Sequence, residues 1–138
     1  MVVAFNIVGA VSINRTHEIL SSVFNITLAT GTIKNMVTRC EESLKYNYER
    51  IRLTMISLGL LQCDETGGRV DGKTCWVHVA SDQNYTYLTI NQKRGQIGMD
   101  AADVLTHAHG IIVHDFWGSY WKYQNVTHAI CVRIFFGN

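Results

Sequence analysis

At 138 residues, with 47% hydrophobic and 17% charged residues, the chain has the composition of a folded domain and not of a disordered segment. A formal net charge of +1 neither supports nor excludes nucleic acid: a free-standing DNA-binding module is usually strongly basic, so any DNA contact is local or shared with parts outside this chain. The apolar runs at residues 1–11 and 56–61 are too short to cross a membrane, and no Lys or Arg precedes Arg15 to flank a signal peptide; this points to a cytoplasmic protein.

No repeat, low-complexity tract or linker interrupts the chain. Over residues 14–24, Ile19, Leu20, Val23 and Phe24 recur at helical spacing, with Asn14 or Thr16 as candidate caps. Residues 25–30 read as a short turn. A second helix starts at Thr30, carries Ile33, Met36, Val37 and Cys40 on one face, and continues through Arg52. Residues 1–53 therefore form a helical lead-in of helix-turn-helix character, able to contact DNA or to pack on the second half of the chain.

Beyond residue 53 the texture changes. Residues 55–62 make a continuous apolar run ending at Cys63-Asp64, as expected of a strand buried on both faces. Gly67-Gly68 and Asp71-Gly72 are turn signals, the second suited to a hairpin. Residues 73–80 alternate around Trp76, Val77 and Val79, and residues 85–90 are a further strand rich in Tyr and Thr. A helix is expected over residues 100–107, with Gly110 stopping it before the short apolar strand Ile111-Ile112-Val113-His114, which ends in Asp115. Residues 116–123 are aromatic, and residues 126–131 begin another strand. Three antiparallel strands, a helix and a parallel strand after helical segments predict an α/β (α+β) chain. In it, residues 54–138 follow the order of the ribonuclease-H-like fold, with the first and fourth strands side by side.

Asp64 and Asp115 each follow an apolar strand, which places them at carboxyl ends, where open α/β sheets build their sites. If those strands are neighbours, the carboxylates converge and repel, and a divalent cation relieves that repulsion. Mg²⁺ takes hard oxygen ligands, usually one or two carboxylates completed by water and phosphate oxygens. A pair of such ions supports phosphoryl transfer on a phosphodiester. A lone Asp at a strand end is more often a turn or cap residue, so this reading depends on the two being brought together.

Two other chemistries compete. Four cysteines, at 40, 63, 75 and 131, with sequons at Asn14, Asn25, Asn84 and Asn125, would suit a secreted disulfide-bonded glycoprotein, but the cysteines form no tight framework and no export signal precedes them. His128 and Cys131 stand at a ligand-like spacing without a partner pair, so burial is expected for them before zinc binding.

The blocks of the second half resemble the insertion-sequence-66 transposase family. The stretch Cys63-Asp64-Glu65-Thr66-Gly67-Gly68-Arg69-Val70-Asp71-Gly72-Lys73, leading into Trp76-Val77-His78-Val79-Ala80-Ser81, is similar to that family's first catalytic block. Lys93-Arg94-Gly95, Asp100-Ala101, His114-Asp115-Phe116-Trp117-Gly118-Ser119-Tyr120 and His128-Ala129-Ile130-Cys131 come next, in the family's order. The lead-in Arg15-Thr16-His17-Glu18-Ile19-Leu20 with Gly31-Thr32-Ile33 resembles its helical segment. The likeness covers nearly the whole chain up to Cys131.

The resemblance implies a bacterial DDE transposase that cuts and joins DNA. It makes Asp64 and Asp115 the first two acids of the triad and the ligands of Mg²⁺ or Mn²⁺. It implies DNA, both element ends and target, as the partner, with a homo-oligomer or the full-length transposase beside it. Arg69, Lys73, Lys93 and Arg94 are candidate phosphate contacts, or a solvated hairpin surface; His114 and Trp117 are candidate substrate-side or supporting residues. After Cys131 the likeness ends. Residues 132–138, shifted in frame, can be read as the family's continuation, so a frameshift that truncates the chain before its third acid is expected. Sequencing onward from the last codon tests this: without family-like coding sequence in another frame, the idea fails. Such a fragment would have little transposition activity alone, exposed apolar surface and a marginal fold. A non-catalytic remnant that binds DNA or the full-length protein is the alternative.

Overall fold

The computed structural model describes residues 1–131, so the frame change expected over residues 132–138 lies outside the described residues. In chain order the elements are α1 (Val2–Ile7), α2 (Ile13–Phe24), α3 (Thr30–Ser57), β1 (Leu60–Val70), β2 (Lys73–Ser81), β3 (Thr86–Asn91), α4 (Gln96–Ala102), β4 (Ile111–His114), a 3-10 turn (Tyr120–Lys122) and β5 (Thr127–Ile130). Contacts divide the chain into two compact units, Met1–Asn47 and a second from Tyr48 onward, so the boundary falls inside α3.

In the first unit, α2 begins where its sequence pattern puts it, but neither Asn14 nor Thr16 caps it. Ser12 does: its backbone is extended and its hydroxyl accepts the N–H of Arg15 at 3.3 Å. Thr16 is buried instead, as are Leu20 and Ile33, and its Oγ1 accepts from Asn6 Nδ2 at 3.0 Å. The apolar opening that bore no predicted element forms α1, whose Phe5 ring meets Phe24.

In the second unit a five-stranded mixed sheet has the order β3-β2-β1-β4-β5. β1, β2 and β3 are antiparallel, while β4 runs parallel to both β1 and β5. Three antiparallel strands, then α4, then a parallel strand beside the first is the expected arrangement, consistent with a partial ribonuclease-H-like fold. Asp71 and Gly72, at φ 50° and 76°, make the tight β1–β2 connection that this dipeptide favours.

Three expectations need correction. Residues 55–57 end α3 instead of opening a strand, and Met55 is fully buried from the helix; a short apolar run fits either element, and tertiary burial decides. Gly67-Gly68 are not a turn but paired positions within β1, opposite Trp76 and Cys75. The helix expected over 100–107 lies earlier, at Gln96–Ala102, ended by Asp103 in the left-handed conformation.

One face of the sheet is covered. Leu61 and Cys63 of β1, Ala80, Tyr87 and Ile112 meet Met55, Met99, Val104, Leu105, Ala108, Tyr120 and Tyr123 in a single cluster. Polar staples hold the covering segments: Tyr123 donates to Asp100 Oδ1 at 2.6 Å, and Asn125 Nδ2 to the carbonyls of Leu105 and Ala108 at 2.9 and 2.7 Å. The opposite face, by strand alternation, presents Leu60, Gln62, Asp64, Val79, Leu88, Ile90, Ile111 and Val113, several of them exposed.

Candidate active site

Strand register sets this site. The parallel β1–β4 ladder pairs Leu60 with Ile111 and Gln62 with Val113; Asp64 and Asp115 each come two residues after that last pair. Alternate residues of a strand share a face, so Asp64 stands on the open face with Gln62, and Asp115 lies just past the end of β4. They line one cleft of about 600 Å³ with Gln62, Cys63, Val79, Ser81, Val113 and Cys131. Asp64 does not end its strand, as its position after an apolar run implied. β1 continues to Val70 as half of the β1–β2 hairpin, and Asp64 lies near the point where pairing to β4 stops.

Each carboxylate is held by a local backbone donor. Asp64 Oδ1 accepts the N–H of Glu65 at 2.8 Å, and Asp115 Oδ1 accepts the N–H of Trp117 at 3.0 Å. Neither is in an ion pair with a cationic side chain of the described residues. Two unneutralised carboxylates with amide and hydroxyl oxygens nearby form a hard donor set that fits Mg²⁺ or Mn²⁺. Among the described residues no group of three or more His, Cys, Asp or Glu gathers to hold a metal, so the protein oxygens at such an ion are few.

The other residues singled out are dispersed. Arg69 and Lys73 flank the hairpin tip, with Arg69 about 17 Å along β1 from Asp64 by strand rise. Lys93 is exposed on the turn before α4, where its carbonyl meets His78 Nε2 at 3.3 Å. His114 is only 1% exposed and lies on the covered face. There its Nδ1 donates to the Asp115 carbonyl, its Nε2 meets His128 Nδ1 at 3.0 Å, and its ring stacks on Tyr120. Burial, foremost, holds its pKa below the usual imidazole value. That position suits support of the Asp115 backbone and not contact with a substrate. His128 Nε2 faces the Tyr123 carbonyl at 3.0 Å, so both its ring nitrogens are engaged within the protein.

Arg94 and Trp117 come together. The guanidinium carbon of Arg94 lies 3.6 Å from the Trp117 ring centroid and 4.6 Å from that of Trp76. Its Nε donates to Glu65 Oε1 at 2.6 Å, and the Glu65 side chain is 1% exposed. Glu65, quoted in the sequence motif without a role, thus carries a buried charge on the covered side of β1. Its Oε2 faces His78 Nδ1 at 3.4 Å with no hydrogen bond formed by either atom. Strand alternation turns it inward only because β1 continues through Gly67-Gly68.

The cysteines at 40, 63, 75 and 131 are all free, and burial, then the Asp64 charge, pushes the Cys63 thiol up to about 12. No helix among the described residues is long and apolar enough to cross a membrane. Comparison with curated proteins gives no match. The model of the Transposase IS66 family matches residues 1–133. With that match over almost its whole length, and with the sheet and its two aspartates in the order the motifs require, the chain belongs to the Transposase IS66 family.

Proposed function

We propose that this chain carries two acids, Asp64 and Asp115, of a transposase site for DNA cleavage and strand transfer by two-metal phosphoryl transfer. The observation that supports the reading is that both side chains line one cleft. Bound there, Mg²⁺ or Mn²⁺ would supply activation of the attacking hydroxyl and stabilisation of the departing oxygen. Asp64 and Asp115 would hold such an ion. Gln62 and Ser81 extend the polar lining.

Arg69, Lys73 and Lys93, exposed on the hairpin and the turn before α4, are the proposed contacts to DNA phosphates farther from the cleft. Arg94 and Trp117, stacked on one another, are further candidate contacts to DNA. His114 acts from beneath, through the Asp115 backbone. DNA is the partner, with further copies of a transposase chain around it.

With two acids at the cleft, the 138-residue polypeptide alone has weak activity or none. A second reading, a non-catalytic remnant that binds DNA or a complete transposase, is favoured by the absence of a three-acid set among the described residues. Nicking of a DNA element end in Mg²⁺ separates the two. Under the first reading a low level of nicking is seen and Asp64→Asn removes it. DNA binding with no nicking, unchanged by Asp64→Asn, selects the second.

A further inference from the structure

We infer that Glu65, Arg94 and Trp117 form a clamp that fixes Asp115 against Asp64, a positioning role that rests on the metal-site reading above. The need for it lies in the backbone. Pairing between β1 and β4 ends at Gln62 and Val113, and Asp115 already lies in the connection after β4. The ladder therefore does not itself hold the second carboxylate.

A continuous chain of contacts runs between the two acids by another route. Glu65 comes directly after Asp64 on β1, and its buried Oε1 accepts from Arg94 Nε at 2.6 Å. Arg94 lies against Trp117 at 3.6 Å. The Trp117 backbone N–H, in turn, donates to Asp115 Oδ1 at 3.0 Å, while its indole Nε1–H donates to Ser119 Oγ at 2.9 Å. The clamp sits on the covered side of β1, so it leaves the open face free for the ion and the phosphate.

Chemistry makes Arg94 hard to replace. A carboxylate removed from water needs a charged partner, and a guanidinium provides one while its flat face stacks on indole. Lysine keeps the charge but offers a compact, strongly hydrated point in place of a plane. Trp76 adds a second aromatic neighbour to the same guanidinium. Groups that orient metal ligands without touching the metal commonly change its affinity by about tenfold or more when removed.

The test uses the full 138-residue chain with Mn²⁺ alone, counting free ion by electron paramagnetic resonance. Wild type is expected to bind Mn²⁺ and Asp64→Asn to lose it. Trp117→Ala and Arg94→Lys should weaken binding by about tenfold, while Trp117→Phe, which still offers a ring, stays near wild type. In parallel, the Arg94 Nε–H resonance should carry a ring-current shift that disappears in Trp117→Ala and returns in part in Trp117→Phe. A merely structural contact would alter unfolding temperature without this pattern, and if Arg94→Lys does not fold, the Trp117 pair decides. If Trp117→Ala binds Mn²⁺ as wild type does while Asp64→Asn does not, the clamp is wrong and the metal site stands. If wild type binds no Mn²⁺ in an Asp64-dependent way, the metal reading falls and the clamp's role falls with it.

Discussion

Single residues in this protein are constrained most where backbones approach. Gly98 in α4 is one case: a Cβ there would run into His78 Nε2 and the Lys93 carbonyl. Neither neighbour moves easily, since His78 is buried and the Lys93 carbonyl belongs to the turn that presents Arg94. Gly98→Ala should therefore destabilise the second unit by about 2 kcal/mol, as overpacked sites do, measured by chemical denaturation; an unchanged midpoint would contradict the close packing. The residue scale is also where the sequence is most and least informative. Asp64 and Asp115 are legible because each follows an apolar run and falls in a motif with a known order. Glu65 is not, because its burial depends on β1 continuing through Gly67-Gly68, and two adjacent glycines read locally as a turn. Only the pairing of those glycines with Trp76 and Cys75 keeps the strand extended.

At the scale of elements, caps and tertiary burial decide the boundaries. Ser12 precedes the apolar periodicity of α2 by enough that the pattern alone favours Asn14 or Thr16, yet Thr16 is needed inward, bonded to Asn6. Ser12→Ala should cost about 1 kcal/mol of helix stability, the usual loss for an N-cap hydroxyl, whereas Asn14→Ala should leave it unchanged. Far-ultraviolet circular dichroism through thermal melting reads both, and equal effects from the two would refute the cap assignment. The C-terminal end of α3 escapes the pattern for a related reason. Residues 55–62 are largely apolar, and only the placement of Met55 in the core shows that the first of them complete a helix. The strands are legible where turn chemistry is explicit, as at Asp71-Gly72. The position of α4 is not, because its closing residue is Asp103, at φ 53°, in place of the glycine that usually marks such an end.

At the scale of the whole molecule, the sheet order follows from the sequence of turns and crossovers. Short connections force β1, β2 and β3 into an antiparallel meander, and the α4 crossover returns the chain parallel beside β1. That return is what converts two aspartates far apart in sequence into neighbours. It also leaves Leu88, Ile90 and Ile111 exposed on the face that carries them, at 50%, 66% and 41%.

The most direct test of this arrangement is a titration of the isotopically labelled chain with Mn²⁺, following paramagnetic broadening of backbone amides. Broadening should begin together at Asp64 and Asp115 and spread to Gln62 and Val113, and either Asp64→Asn or Asp115→Asn should remove it from both strands. Broadening confined to one aspartate, or unaffected by the loss of the other, would contradict a shared site.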